Sequence, residues 1–353
     1  VQKNEIICSI VIQDVIGKKN ENVDKKRRGT MLGSLPNVIN TSTLVSSSEQ
    51  QEASSESFKT YTHKGKKFKV YLPKSYHILK SYPLMVMLHG CTQNADDFAI
   101  GTQMNELADE KEFIVVYPQQ SSNSNMNKCW NWFEPLHQIR GFGEPAIIAG
   151  IVKKVQNMHF IQKNKVFIAG LSAGGAMSIV MGVTYPELFA GIGVSAGIEY
   201  QAALNVFNAY SVMASKGPSP VKQGRIAYQQ MGKRAKPLPL IVFHGNADST
   251  VNVANADQVV HQWITTNNLA YNGRIDGWIQ DSPVKTREEK ILFGRDYTTY
   301  RYESSKGELA IDKYIINGMG HAWSGGNSAG SYTDPKGPNA SRIMWDFFMS
   351  QKV

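Results

Sequence analysis

The residues best suited to chemistry sit in Gly170-Leu171-Ser172-Ala173-Gly174-Gly175. An apolar run, residues 166–169, precedes this G-x-S-x-G pattern, and a helix-like run, residues 176–184, follows it. That context predicts a sharp strand-to-helix turn that lifts the serine Oγ clear of the sheet and aims the following N–H groups at one point. A serine hydroxyl is a poor nucleophile without a base, and a base needs a group to orient it. Asp248 stands in His244-Gly245-Asn246-Ala247-Asp248, just past the apolar run 240–243. His321 stands in Gly318-Met319-Gly320-His321-Ala322-Trp323, just past the apolar run 313–316. The order Ser172, Asp248, His321 gives a nucleophile, an acid and a base, each at the end of a different run. Such a set attacks acyl carbons.

Acyl transfer also needs N–H donors for the tetrahedral oxyanion. The Ala173 N–H, next to the serine, is one candidate. The Cys91 N–H is the other, in the loop His89-Gly90-Cys91-Thr92-Gln93 after the apolar run 83–88. Competing residues read differently. His89 and His244 follow apolar runs but precede the acid, so they read as structural histidines at strand ends. Asp257 falls in a helical pattern and reads as surface, and Ser195 lacks the leading glycine of the turn and reads as packing. His244 and Asp248 share a loop, but no second cluster joins them, so neither a metal site nor a cofactor is expected. Cys129-Trp130-Asn131-Trp132-Phe133 packs three aromatics into five positions, with Trp130 and Trp132 on one face of an extended segment. Trp130, Trp132 and Trp323 are the candidate substrate-contacting residues, against a plain packing role. Cys91 and Cys129 both belong to segments near the site, so a bridge between them and a pair of free thiols are both open.

The elements that must hold these residues follow from periodicity. Residues 58–62 and 67–72 alternate around His63-Lys64-Gly65-Lys66 and predict an N-terminal β-hairpin. The short apolar runs 83–88, 113–117, 166–169, 191–194, 240–243 and 313–316 suit strands buried on both faces. Helical patterns over 102–111, 144–158, 176–184 and 254–267 lie between several of them. Alternation of this kind predicts an α/β fold, a mostly parallel central sheet with helices on both faces. Residues 198–237 contain no strand run and read as an insertion, a cap or flank over the site. Residues 1–57, with their Ser/Thr/Asn/Gln/Glu-rich end, read as a leader or linker ahead of a domain over 58–353.

Composition narrows the class further. With 42% hydrophobic and 19% charged residues the chain buries a core and is not disordered as a whole. The net charge of +9 is spread over the chain without an arginine-rich block beyond Lys25-Lys26-Arg27-Arg28, which argues against nucleic-acid recognition. The longest uncharged stretch, residues 166–186, is interrupted by glycines and serines and does not read as a membrane span. Three cysteines do not make a disulfide scaffold.

Taken as a set, His89-Gly90-Cys91-Thr92-Gln93, Cys129-Trp130-Asn131-Trp132-Phe133, Gly141-x-Gly143-Glu144, the Ser172 motif and Gly318-Met319-Gly320-His321-Ala322-Trp323-Ser324-Gly325-Gly326 resemble the poly(3-hydroxybutyrate) depolymerase esterases. The resemblance extends over about residues 66–348 and includes Ser331-Tyr332-Thr333-Asp334-Pro335. It implies an α/β-hydrolase domain and a serine esterase that cuts polyester or oligoester of 3-hydroxybutyrate. It carries nucleophile, acid and base onto Ser172, Asp248 and His321, and oxyanion donation onto Cys91 and Ala173. Secretion is the implied location, with the cytoplasm as the alternative. Several secreted relatives carry a separate polymer-binding domain after a linker. This sequence stops at Val353, so adsorption is expected to use the catalytic domain's own apolar surface. The rival readings are a feruloyl or acetylxylan esterase of the same architecture, and an inactive polymer-binding relative.

Overall fold

The computed structural model describes residues 57–215 and 217–352. The leader or linker expected over residues 1–57 thus lies, except for Ser57, outside the described residues. Strands β1 (Phe58–His63) and β2 (Lys66–Tyr71) form the expected hairpin. Lys64 and Gly65 turn it with φ of 48° and 76°, the two positive φ values of a type I′ turn.

The chain then alternates. It runs through β3 (Tyr82–Leu88), α1 (Ala95–Thr102), α2 (Met104–Lys111), β4 (Ile114–Pro118), α3 (Gly143–Met158) and β5 (Ile161–Leu171). Next come α4 (Ala173–Thr184), β6 (Gly191–Ser195), α5 (Val206–Ala214), α6 (Pro220–Met231), β7 (Leu240–Gly245) and α7 (Ala254–Asn272). The chain ends with β8 (Lys285–Glu289), β9 (Tyr297–Glu303), β10 (Ala310–Ile316), the two-residue strands β11 (Trp323–Ser324) and β12 (Thr333–Asp334), and α8 (Ala340–Ser350). The main sheet has the order β1-β2-β4-β3-β5-β6-β7-β10-β9-β8. Its six central strands, β4 to β10 in that order, are parallel; the hairpin on one edge and β9-β8 on the other are antiparallel.

Alternation along each buried strand feeds two cores. Leu84, Val86 and Leu88 of β3 point to the face covered by α3, α4, α6 and α7, where Ile151, Val180, Met231 and Trp263 pack. Met85 and Met87 point to the other face, covered by α1, α2 and α8, where Phe98, Leu107, Trp345 and Phe348 pack.

The structure departs from the sequence reading in three places. The helix expected over 102–111 is α2, which starts only at Met104 because Gln103 takes a left-handed φ of 53° and its N–H caps Ala99 O at 3.1 Å, ending α1, a helix the sequence pattern did not reveal. Strands β8 and β9 went unread, since Lys-Thr-Arg-Glu-Glu has no apolar run and is held by ladder bonds at a sheet edge. Of the span 198–237, α6 lies in the helical layer rather than over the site: a Cβ on its Gly224 would sit 2.6 Å from the Thr265 side chain of α7.

Trp345 stacks on Phe113 with ring centroids 3.8 Å apart and fixes α8 to the sheet. Trp345→Ala should lower unfolding free energy by about 3–5 kcal/mol in denaturant titration. Leu292→Ala, at a side chain 84% exposed, should change it by less than about 0.5 kcal/mol.

Candidate active site

Ser172 occupies the step between β5 and α4 with φ 58° and ψ −120°, a strained conformation for a residue with a side chain. Its neighbours must be small for a steric reason. A Cβ on Gly174 would lie 2.0 Å from Leu88 O, and one on Gly170 would lie 2.4 Å from the Gly174 carbonyl. The turn is pinned by the Ser172 N–H donating to Ser195 O at 2.8 Å and by Ala176 N–H donating to Ser172 O at 3.0 Å. Ser195 is fully buried and its Oγ donates to Ala322 O at 3.5 Å, so one residue links the serine's backbone to the chain beside His321.

Asp248 follows β7 in a tight turn. Its Oδ1 accepts from Thr250 N–H and Val251 N–H, both at 2.8 Å. Its Oδ2 lies 2.7 Å from His321 Nδ1 and 3.5 Å from His244 Nε2. Burial by itself would raise the carboxyl's pKa. The side-chain hydrogen bonds with His244 and His321 and the Val251 N–H outweigh it, so the group is held below the usual carboxylate range. An ionised Asp248 favours the proton on His321 Nδ1 and leaves Nε2 as the free basic nitrogen. The two loops interlock: Ala247 N–H donates to Met319 O at 3.1 Å, and a Cβ on Gly245 would lie 2.1 Å from the same oxygen.

The loop after β3 reaches the serine. The Cβ position of Gly90 is 3.6 Å from Ser172 Cβ. Gln93 braces the loop: its Oε1 accepts from Gly90 N–H at 2.9 Å, and its Nε2 donates to Ser331 O at 3.0 Å. Cys91 is joined to Cys129 by a disulfide, and Thr92 N–H donates to Asn127 O at 2.6 Å. Neither the Cys91 nor the Ala173 N–H donates to another group among the described residues.

Behind this loop lies a buried polar layer. His89 Nδ1 bonds Gly90 O at 2.7 Å, and its Nε2 accepts from Gln120 N–H at 3.0 Å. Gln120 Nε2 donates to Cys129 O at 3.0 Å and to Glu144. Glu144 also accepts from Asn131 N–H at 2.7 Å. His244 is likewise buried, its Nε2 2.8 Å from Val251 O. Asp257 pairs with Lys313 instead of entering the site.

The three tryptophans expected to contact substrate do not line a cleft. Trp130, Trp132 and Trp323 are 0%, 6% and 1% exposed. The indole N–H of Trp130 donates to His89 O at 3.1 Å and that of Trp323 to Ser341 Oγ at 3.1 Å, which is how a core satisfies a buried indole. Gln93, Gln120 and Glu144 had no role in the sequence reading. A glutamine three residues after Gly90 in a loop of small residues was the available signal for the first. Among the described residues no group of three His, Cys, Asp or Glu side chains could hold a metal ion, and no helix is long and apolar enough to cross a membrane.

A parallel sheet flanked by helices, with a strained serine at a strand-to-helix turn and an Asp–His pair at the ends of β7 and β10, defines an α/β-hydrolase. An acetyl xylan esterase from Aspergillus awamori shares the fold, with a TM-score of 0.62 at 22% identity over 75% of this chain and 94% of that one. A family model described as esterase PHB depolymerase matches residues 66–290, and the chain belongs to that family. It is 34% identical to poly(3-hydroxyalkanoate) depolymerase C of Paucimonas lemoignei over 241 residues, 68% of this chain and 54% of the relative. It is 30% identical to acetylxylan esterase A of Talaromyces purpureogenus over 226 residues, 62% of this chain and 55% of that protein. The chain thus spans about half the length of these relatives.

His89 gives a test of this layer. Burial first, against the Gly90 hydrogen bond, lowers its pKa from 6.5 to about 4. The folded state therefore holds it neutral where the unfolded chain would protonate it. The stability it confers is complete above pH 6.5 and is lost as pH falls from there toward 4. Compared with His89→Gln, the wild-type protein should lose about 3 kcal/mol more unfolding free energy between pH 7 and pH 4. Parallel stability curves for the two proteins would refute the assignment.

Proposed function

We propose that this chain is a serine esterase that hydrolyses poly(3-hydroxybutyrate)-type polyester to oligomers and monomer. The observation that carries the chemistry is the buried, ionised Asp248 held 2.7 Å from His321 Nδ1, in a fold that also presents Ser172 on a strained turn. Membership of the depolymerase family favours the polyester as substrate.

In this reading His321 Nε2 takes the proton of Ser172 Oγ, which attacks the ester carbonyl. The carbonyl oxygen becomes an oxyanion held by the Cys91 and Ala173 N–H groups. Collapse of the tetrahedral intermediate breaks the ester C–O bond, and the alcohol leaves with the proton from His321. Water, deprotonated by His321, then releases the acid and restores Ser172. Asp248 stays ionised throughout and stabilises the imidazolium.

Exposed Phe207 and Tyr210 on α5, with Leu204 just before it, provide apolar contact for a solid polymer. They lie on the segment whose Met213 O accepts from Asn252 N–H, close along the chain to Asp248. A disulfide in the oxyanion loop suits a secreted protein. The second reading, deacetylation of a polysaccharide, is favoured by the 30% identity to an acetylxylan esterase.

One assay separates these readings: release of 3-hydroxybutyrate from suspended polymer, beside release of acetate from acetylated xylan. Wild type should clear the polymer. Ser172→Ala should lose about a millionfold in turnover, and Asp248→Asn about ten thousandfold, as when comparable triads are cut. Acetate release without polymer clearing would assign the enzyme to polysaccharide esters. Polymer clearing by Ser172→Ala would overturn the mechanism.

A further inference from the structure

We propose that Tyr332 contacts substrate and recognises the neighbouring ester unit of a chain substrate; the proposal rests on the polyester esterase reading above. Tyr332 takes a left-handed φ of 52°, which side chains rarely adopt. The surrounding chain imposes it. Ser331 N–H donates to Asp97 Oδ1 at 2.9 Å, Trp323 N–H donates to Tyr332 O at 2.7 Å, and Gln93 Nε2 donates to Ser331 O at 3.0 Å. Gln93 is also the residue that holds Gly90, so one side chain sets both the oxyanion loop and the placement of this tyrosine.

The held ring is 38% exposed. It stands edge-on to His321, with centroids 6.4 Å apart and planes at 79°. Its hydroxyl reaches the oxyanion loop at Thr92 Oγ1, 3.4 Å away. That contact is at the limit of hydrogen bonding. Thr92 has a single hydroxyl proton, and its 2.6 Å bond to Cys91 O takes it. Thr92 Oγ1 can then only accept, weakly, from the Tyr332 O–H, and among the described residues no closer acceptor meets the phenol, on a ring that spans the base and the oxyanion loop.

The position selects a ligand chemistry. In the proposed mechanism the ester carbonyl attacked by Ser172 sits near His321 and the Cys91 N–H, and Tyr332 stands against both segments, so a chain continuing on that side meets the ring. The ring offers an apolar face to aliphatic carbons and one O–H donor. In a polyester the neighbouring ester carbonyl is an acceptor without a proton of its own, which suits that donor. An isolated ester has no such second carbonyl.

The test measures kcat and KM on p-nitrophenyl butanoate and on the linear trimer of 3-hydroxybutyrate. The proteins are wild type, Tyr332→Phe and Tyr332→Ala, with Ser172→Ala as the blank. Tyr332→Phe should lower kcat/KM for the trimer by about 3- to 10-fold, mainly through KM, and change the single ester by less than about twofold. Tyr332→Ala, with folding checked by circular dichroism, should lower the trimer value further than Tyr332→Phe. An equal effect of Tyr332→Phe on both substrates, or none on either, would overturn the proposal while leaving the esterase reading intact. Wild type that cleaves the single ester but not the trimer would overturn the polyester reading and this proposal with it. Activity in Ser172→Ala would overturn the serine mechanism itself.

Discussion

The site depends on a steric constraint: the backbone of α4's first turn must pass against the end of β3. With 2.0 Å between a would-be Gly174 Cβ and Leu88 O, only glycine fits there. That contact lets Ser172 stand at the carboxyl end of β5 with φ 58°. It also brings the loop after β3 to the serine, where Gly90 approaches Ser172 Cβ. The strain at the serine is sustained by packing on both sides of the sheet, since β3 and the Val166–Leu171 part of β5 are buried and directly paired.

A second set of contacts orients the charges. Asp248 is buried, which would favour its neutral form, yet backbone N–H groups and two histidines keep it ionised. Its loop and that of His321 share backbone contacts around Met319 O, so acid and base are held by one another's chains. The loop after β3, which carries the proposed oxyanion donor Cys91, is fixed differently, by the Cys91–Cys129 disulfide, the Gln93 side chain and the His89–Gln120–Glu144 layer behind it. Loops from distant parts of the sequence thus meet, and partly brace one another, at the carboxyl ends of parallel strands, the usual place for ligand chemistry in such sheets.

What the sequence revealed follows from locality. The strands that carry Ser172, Asp248 and His321 are short apolar runs ended by small or polar residues, and that signature is read within ten residues. The hairpin was legible for the same reason, through Lys64-Gly65. Burial is not local, so Trp130, Trp132 and Trp323 were assigned to substrate when they belong to the core. Strand β8 is charged and depends on pairing with β9, a partner no local pattern names. Gln93 and Asp97 bond Ser331 from the far end of the chain, and such long-range contacts give Tyr332 its surroundings.

The central claim is that the fold makes Ser172 nucleophilic through His321. Mass-spectrometric mapping of the adduct left by a fluorophosphonate on the folded protein tests it most directly. One phosphonyl group is expected, on Ser172, formed orders of magnitude more slowly in His321→Ala. No adduct in the folded protein, or an adduct on another serine, would contradict it.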